Sequence, residues 1–530
     1  MTTRLALILI VLCCAVLSPP PTHAGPKPPN IIFFLVDDYD KPETSVYGGE
    51  VLTPSLDRLA REGMTMTNAH VTSTVCTPSR YTCLTGRYAG ASTSEFYLQE
   101  CPKGQQGLPG FNVELEPDNM NVGQVLQDNG YATGFVGKYH VGPHIDKDTA
   151  ADFDWKSIDK GAAFSAEINR MKQHNQRRAC DLVKKRGFAW VENIYWANIK
   201  APFKGHNPEW TIDAALTFID EHKDKPFYLH YATTLLHGPN GEWHRSLSKP
   251  LVTDGGMLEK PIGLMDRDSV MRRIKKAGLT EQEAGYLWMD DSLGMLLDRL
   301  DKHGIAENTI VLFLADHGSV QKGSLMKHRG TEVPCLIRWP AGIKAGVRCD
   351  ELIQNTDFVP TWFEVASAEI PADYRIDGVS ISPLFDDPRK PIREYVYGEM
   401  GPARSIKTKE WNYIALRYTK EQIEAIRDGH RSVKRLMGLS GGVSRARTRP
   451  HAFDVDQLYD LQTDREEMAN VASDSGVRRR LREMKRFLMQ ELAKFPDRPF
   501  GEFIPGGNAV PGEEQGDLAP LLKDFARKMK

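Results

Sequence analysis

Residues 30–38 of this chain read NIIFFLVDD, and this stretch is the strongest indication of the fold class. A continuous apolar run rich in β-branched and aromatic residues is typical of a strand that is buried on both faces of a mostly parallel sheet. Residues 131–136, 226–231 and 309–314 form three further runs, and segments with helical spacing, such as residues 282–303, lie between them. This alternation predicts an α/β fold with a mostly parallel central sheet flanked by helices.

The composition is that of a globular protein, because 41% of the 530 residues are hydrophobic and 26% are charged. The 68 Lys and Arg residues nearly balance the 70 Asp and Glu residues, which gives a formal net charge of -2. This balance favours neither a nucleic-acid partner nor a membrane surface. After residue 385, short apolar runs separated by turns and a helical segment near residues 476–493 predict a smaller antiparallel sheet with a helix.

Residues 1–24 have the layout of a cleaved secretory signal. Arg4 precedes an apolar run over residues 5–17, and prolines and the A-x-A-like tripeptide THA at residues 22–24 follow. The run is short for a bilayer-spanning helix, although an uncleaved anchor or a lipoprotein is the alternative. We therefore expect a secreted or periplasmic protein without stable membrane insertion.

Polar residues stand at the ends of two of the predicted strands. Asp37 and Asp38 end the first strand, and Asp316 and His317 follow the strand at residues 309–314. A parallel sheet can bring both ends to the edge where ligands bind in open α/β folds. Adjacent carboxylates repel each other, and a hard divalent cation relieves that repulsion. The pattern predicts a cation site, and a helix-capping Asp beside a solvated Asp is the structural alternative.

A second motif begins at Cys76 and reads CTPSRYTCLTGR through residue 87. Together with the two strand ends, it resembles the signature of type I sulfatases. The resemblance extends over most of the chain, through residues 137–142, His237, 316–318, 322–325, 333–340, 377–380 and 458–461. It implies the alkaline-phosphatase-like α/β fold and sulfate-ester hydrolysis.

In that family the motif cysteine is oxidised to formylglycine, whose hydrate is the nucleophile. The resemblance implies that Cys76 becomes formylglycine, through a maturation enzyme that acts on the unfolded chain. It also implies one Ca²⁺ per chain, with Mg²⁺ as the alternative, held by Asp37, Asp38, Asp316, His317 and the modified Cys76. His317 departs from the usual asparagine of the family and offers nitrogen to a hard cation.

The resemblance implies roles for five further residues. Arg80 would hold the aldehyde hydrate, Lys138 would contact sulfate oxygens, and His140 would assist the hydrate. His237 and Lys322 would donate to the leaving oxygen, although lone histidines and lysines are by default loop or surface residues. Lys322 lies one residue further from Pro334 than the family pattern places its lysine, so Lys327 is the alternative donor.

We expect residues 25–385 to form the catalytic domain and residues 386–530 a C-terminal α+β subdomain with a tail. Two basic stretches, residues 169–187 and 427–451, predict subsites for a sulfated polysaccharide or oligosaccharide, and solvated surfaces are the alternative. An aryl sulfatase, a phosphoester or phosphonate-ester hydrolase on the same fold, and an inactive glycan-binding relative are the other functions that the sequence allows.

Overall fold

The computed structural model describes residues 27–143, 158–159, 161–238, 243–249, 251–259, 267–430, 432–433 and 449–528. The predicted signal at residues 1–24 lies outside the described residues, as do residues 431 and 434–448 of the second basic stretch.

The strands are β1 (Asn30–Val36), β2 (Met64–Met66), β3 (Ala69–His70), β4 (Ala132–Lys138), β5 (Trp190–Tyr195), β6 (Phe227–Ala232), β7 (Val252–Thr253), β8 (Gly256–Met257), β9 (Thr309–Ala315), β10 (Cys335–Arg338), β11 (Val347–Cys349), β12 (Ile353–Gln354), β13 (Val396–Met400), β14 (Ala403–Lys407), β15 (Trp411–Leu416) and β16 (Asp456–Asp460). The helices are α1 (Pro54–Glu62), α2 (Cys76–Thr85), α3 (Glu95–Glu100), α4 (Val122–Asp128), α5 (Ala166–Lys184), α6 (Pro208–His222), α7 (Trp243–Ser248), α8 (Arg267–Lys276), α9 (Ala284–Lys302), α10 (Phe358–Val365), α11 (Pro383–Asp386), α12 (Lys420–Arg427), α13 (Arg478–Leu492) and α14 (Ala519–Lys528).

The central sheet has eight strands in the order β11-β2-β10-β9-β1-β6-β4-β5. β1 pairs in parallel with β6 and β9, and β4 pairs in parallel with β5 and β6, whereas β10 is antiparallel to its neighbours β9 and β2. Every residue of β1 is buried, as its apolar run predicts. The prediction of a mostly parallel sheet is therefore confirmed, with β10 as the antiparallel exception.

The register of the parallel strands places the polar strand ends side by side. Val36 of β1 pairs with Ala315 of β9, and Leu35 pairs with Ala232 of β6. Helix α9 packs against α6 and α1 on the flank of the sheet. The residues that follow β1, β9, β4 and β6 consequently meet at one edge.

A second sheet of four antiparallel strands has the order β13-β14-β15-β16. Helix α13 covers one face and buries Met484, Phe487 and Leu488 against Tyr397 and Ile406. This arrangement confirms the predicted antiparallel sheet and the predicted helix. Within the residues described, no helix is long and apolar enough to cross a bilayer.

Candidate active site

Helix α2 delivers Cys76 and Arg80 to the edge of the central sheet. Cys76 is the first residue of the helix and Arg80 lies one turn later, so both side chains share a face. All ten residues of α2 are buried. The Ser79 hydroxyl donates to the carbonyl of Asp316 at 2.5 Å, and the Asn355 amide donates to the Ser79 hydroxyl at 3.1 Å. These bonds fix the start of α2 against the end of β9.

Four potential metal ligands, one of them the sulfur of Cys76, converge at this edge. The Sγ of Cys76 lies 3.6 Å from Asp37 Oδ1 and 3.3 Å from His317 Nε2. Together with Asp316, these side chains are buried, and one ligand atom from each lies within 4.8 Å of the others. The structure therefore brings together residues from three separate segments, as the two sequence motifs predict.

Arg80 holds the two deeply buried carboxylates together. Its Nε donates to Asp316 Oδ2 at 3.0 Å, and its Nη2 lies 2.9 Å from the same oxygen and 3.6 Å from Asp37 Oδ1. Its Nη1 donates to the carbonyl of Lys138 at 3.0 Å. Burial acts to raise the pKa of Asp37, but Lys138 and Arg80 outweigh burial and hold that pKa well below its usual range.

Lys138 reaches the site because β4 bends at its end. Gly137 has φ 94°, and a Cβ there would lie 2.0 Å from the carbonyl oxygen of Ala232, so only glycine fits. The Nζ of Lys138 donates to Asp37 Oδ2 at 2.5 Å and to Asn198 Oδ1 at 2.6 Å. Asn198 thus orients the ammonium group of Lys138. Asn198 does not belong to any of the sequence motifs described above.

Asp38 stands apart from the four converging ligands. Its backbone is left-handed, with φ 57°, and its N–H donates to Asp316 Oδ1 at 3.1 Å. Its carboxylate accepts hydrogen bonds from Lys322 Nζ at 2.8 and 3.0 Å and lies 3.3 Å from His317 Nδ1. Lys322 therefore engages the carboxylate of Asp38, as Lys138 engages that of Asp37.

The two candidate donor lysines occupy different places. The Nζ of Lys322 lies 3.7 Å from Cys76 Sγ, and the side chain is nearly buried. The Nζ of Lys327 instead lies 3.9 Å from Glu332 Oε1. Burial acts to lower the pKa of Lys322, but Cys76 and Asp38 raise it above its usual value, so the ammonium is charged.

The loop that carries Lys322 is held by the C-terminal sheet. Glu467 Oε2 accepts hydrogen bonds from the backbone N–H groups of Lys327 at 2.7 Å and His328 at 3.2 Å. Its other oxygen accepts from the Asn412 amide on β15 at 2.5 Å. Glu467 is fully buried, so these bonds replace the water that its carboxylate would otherwise bind.

The two predicted histidines differ in their environments. His140 has φ 55°, and its Nδ1 is buried without a hydrogen-bond partner among the described residues. Burial, together with Lys138 and Arg80, holds its pKa well below the usual value. His237 is partly exposed, with Nε2 4.0 Å from Asp38 Oδ2, and burial lowers its pKa. Both imidazoles are therefore neutral at pH 7.

The donor set fits a divalent cation. Asp37 and Asp316 offer hard carboxylate oxygens, and the Sγ of Cys76 occupies the place where a formylglycine hydrate would offer oxygen. Burial acts to lower the pKa of His317, but Asp316, Asp38 and Cys76 raise it to about 9. A cation bound through this imidazole would displace that proton and supply the positive charge in its place.

A cleft of about 550 Å³ opens beside this group of residues. Its walls include Asp37, Lys138 and His237 from the predicted site, together with Asn198 and His206. His206 is buried, and its Nδ1 lies 3.0 Å from the Thr234 hydroxyl. The sequence motifs did not identify this wall, because it comes from the irregular segments after β5 and β6.

Comparison with known proteins gives matches over most of the chain. The family model described as Sulfatase matches residues 29–368, and the model described as N-sulphoglucosamine sulphohydrolase, C-terminal, matches residues 315–431. An ulvan-active sulfatase of Formosa agariphila is 26% identical over 463 residues, which cover 84% of this chain and 76% of that protein. An N-acetylglucosamine-6-O-sulfatase of Bacteroides thetaiotaomicron is 23% identical over 555 residues, which cover 89% and 87%.

A solved structure in complex with its substrate D-glucosamine-2-N,6-O-disulfate has the same fold, with a TM-score of 0.58 at 19% identity. The match covers 90% of this chain and 100% of that one. The fold and the family match agree with the motifs around Asp37, Cys76 and Asp316. The chain therefore belongs to the sulfatase family, a family of sulfuric ester hydrolases.

Proposed function

We propose that this sulfatase hydrolyses a sulfate ester of a glycan, with formylglycine at position 76 as the nucleophile and one divalent cation. The observation that supports this most directly is the position of Cys76, buried at the start of α2 between the ends of β1 and β9. The unpaired amides at a helix N-terminus favour negative charge there. A secreted or periplasmic location and a maturation enzyme as partner belong to the same proposal.

Asp37, Asp38, Asp316, His317 and the modified residue 76 would hold the cation. The carboxylates favour Ca²⁺, and Mg²⁺ is the alternative. When bound, the cation polarises the sulfuryl group and favours ionisation of a hydroxyl group at position 76. Arg80 already fixes both buried carboxylates, so the site is organised before substrate enters.

Each of the remaining residues either stabilises negative charge or transfers a proton. Lys138 contacts the nonbridging sulfate oxygens, where positive charge stabilises the transition state. His140 is neutral and its Nδ1 has no hydrogen-bond partner in the described part of the chain, so it accepts a proton from the hydrate at position 76. Lys322 and His237 both lie beside Asp38 and donate hydrogen bonds to the leaving oxygen of the sugar.

A glycan substrate is proposed from the relatives and from the cleft. The matched proteins are named for ulvan and N-acetylglucosamine sulfate, and one solved relative holds a disulfated glucosamine. The cleft beside Lys138 gives a ligand access to the candidate site, because Asp37, Lys138 and His237 line it. We also propose the division into a catalytic domain at residues 25–385 and a C-terminal subdomain at residues 386–530.

The test is sulfate release from a panel of sulfated oligosaccharides, an aryl sulfate and a phosphonate monoester. The protein should be co-expressed with a formylglycine-generating enzyme, and mass spectrometry should confirm conversion of residue 76. Release from one glycan class above all other members supports the proposal. Turnover of the aryl sulfate alone or of the phosphonate would favour those activities, and binding without any turnover would favour an inactive glycan-binding protein.

Replacing Lys322 with alanine is expected to lower kcat for a sugar sulfate by about 10²–10⁴-fold, the usual contribution of a general acid. The loss should be smaller for an aryl sulfate, because a phenolate leaves with little need of a proton. Lys327→Ala is the matched control, since its ammonium lies beside Glu332, and it should keep kcat. A large loss in Lys327→Ala alone would transfer the donor role to that lysine.

Removal of divalent cations is expected to stop turnover and to lower the midpoint of thermal unfolding. A cation that binds only the folded state stabilises it by about 2.7 kcal/mol at a concentration of 100 Kd. Activity and midpoint should be measured after dialysis against EDTA and after addition of Ca²⁺ or Mg²⁺ alone. Full activity after dialysis, with no metal left by elemental analysis, would exclude the cation from the mechanism.

A further inference from the structure

The outer wall of the cleft carries positive charge that the reaction does not use. Lys204, Arg245 and Lys249 line this wall, whereas Lys138 and His237 line the inner end. Asp37 is the only acidic residue among those that line the cleft within the described chain, and it already accepts a hydrogen bond from Lys138. The outer wall therefore presents a positive field to any ligand that enters.

Lys204 and Lys249 are neighbours on this wall. Both side chains are exposed, and Lys249 Nζ donates to the backbone carbonyl of Lys204. Over the part of the chain that the structure describes, neither ammonium group lies within ion-pair distance of a carboxylate. Two like charges on one concave surface repel each other, and an anion bound between them removes that repulsion.

A neighbouring cleft of about 540 Å³ shares Asn198 with the first one, but one of its lysines has an acidic partner. Its lysine from the first basic stretch, Lys172, is 3.2 Å from Asp254 Oδ1 and 5.8 Å from the ring of Phe203. That cation is already balanced by a carboxylate. Lys200 lines the second cleft as well, so the first cleft is distinguished by placing Lys204 and Lys249 in the same opening as Lys138.

We propose that Lys204 and Lys249 bind a second anionic group of the substrate, a sulfate or a carboxylate, while the reacting sulfate lies at Lys138. This inference rests on the proposed function and narrows it to glycans with at least two acidic groups on the reacting sugar or its neighbour. Lysine is a common partner of such oxyanions, through charge-assisted hydrogen bonds.

The experiment compares three matched substrates that share one reacting sulfate. One carries no other charge, one carries a second sulfate, and one carries a uronic carboxylate. The wild-type protein is expected to show kcat/KM at least about tenfold higher for a doubly charged substrate than for the singly charged one. The preference should shrink as ionic strength rises, because both lysines are exposed to salt. The substrate with the higher kcat/KM, the one with a second sulfate or the one with a carboxylate, identifies the second anionic group.

The double variant Lys204→Ala/Lys249→Ala is expected to lose this preference through a higher KM, with turnover of the singly charged substrate unchanged. That unchanged turnover also shows that the variant folds. Lys223→Ala is the matched control, because Lys223 is a partly exposed lysine beside Asp224 that does not line the cleft. It should keep the wild-type preference.

Three outcomes would overturn the inference. Equal kcat/KM for all three substrates in the wild type would leave the sulfatase assignment intact and remove the second anion. A preference that survives in the double variant would leave the sulfatase assignment intact and place the binding of the second anion away from Lys204 and Lys249. If the wild type, with residue 76 converted, releases sulfate from none of the substrates, the proposed function fails and this inference fails with it.

Discussion

Replacing Cys76 with alanine is expected to lower kcat for sulfate release on the order of 10⁶-fold, as removal of a covalent nucleophile does in other hydrolases. Alanine cannot be oxidised to the aldehyde, so no hydrate forms beside Asp37 and His317. The folded structure should survive, because the change removes one buried sulfur atom that already lies among polar side chains. Sulfate release from the preferred glycan and the midpoint of thermal unfolding measure the two effects separately.

Cys83→Ala is the matched control for this variant. Cys83 is buried on the same helix, and burial raises its pKa to about 12, so it is an inert thiol. Its removal leaves a small cavity and should cost about 1 kcal/mol of stability while kcat is kept. Turnover that persists in Cys76→Ala, or that disappears equally in Cys83→Ala, would contradict the nucleophile assignment.

Replacing Arg80 with alanine is expected to have the largest effect on stability. The guanidinium contacts Asp316 and Asp37, and all three side chains are at most 1% exposed. Its loss leaves buried carboxylates with less compensating charge, which typically costs about 3–5 kcal/mol. Activity should disappear as well, because the carboxylates that would hold the cation lose their fixed geometry. Thermal unfolding with and without Ca²⁺ measures this effect.

Arg87→Ala is the control for the loss of a buried arginine. Arg87 follows the same helix, but it donates to the carbonyl of Met120 and lies 3.6 Å from Asp118, away from Cys76. We expect a loss of roughly 1–3 kcal/mol without loss of kcat. Arg80→Lys should recover part of the stability but little activity, because an ammonium cannot reproduce the fork of hydrogen bonds. Equal stability losses in Arg80→Ala and Arg87→Ala would contradict the special role of Arg80.

The central sheet could be predicted because its strands are buried on both faces. Burial on both faces demands continuous apolar runs, and the runs at residues 31–36 and 309–314 have no other stable location. Parallel pairing then places the residues after each strand at one edge, so the approach of Asp37 to Asp316 follows from topology. The antiparallel strand β10 could not be anticipated, since a short buried run carries no sign of its direction.

The finer geometry of the site depends on backbone conformations that no sequence pattern predicts. The left-handed backbone of Asp38 places its carboxylate on Lys322, while the preceding Asp37 faces Cys76. Arg329 is also left-handed, with φ 56°, in the wide turn over Lys327–Thr331, and this turn separates Lys322 from β10. Asn198 lies far from Lys138 in sequence, so only the folded chain reveals their contact.

The contact between Glu467 and the loop of Lys322 has a consequence for biosynthesis. The ribosome releases the N-terminal part first, so this loop emerges well before Glu467. Until then water accepts the hydrogen bonds of the Lys327 and His328 N–H groups, and the loop lacks the fixed acceptor that it has in the folded protein. The enzyme thus becomes active only after the C-terminal sheet has folded. A chain that ends before residue 467 should therefore release no sulfate, even if its central sheet has folded.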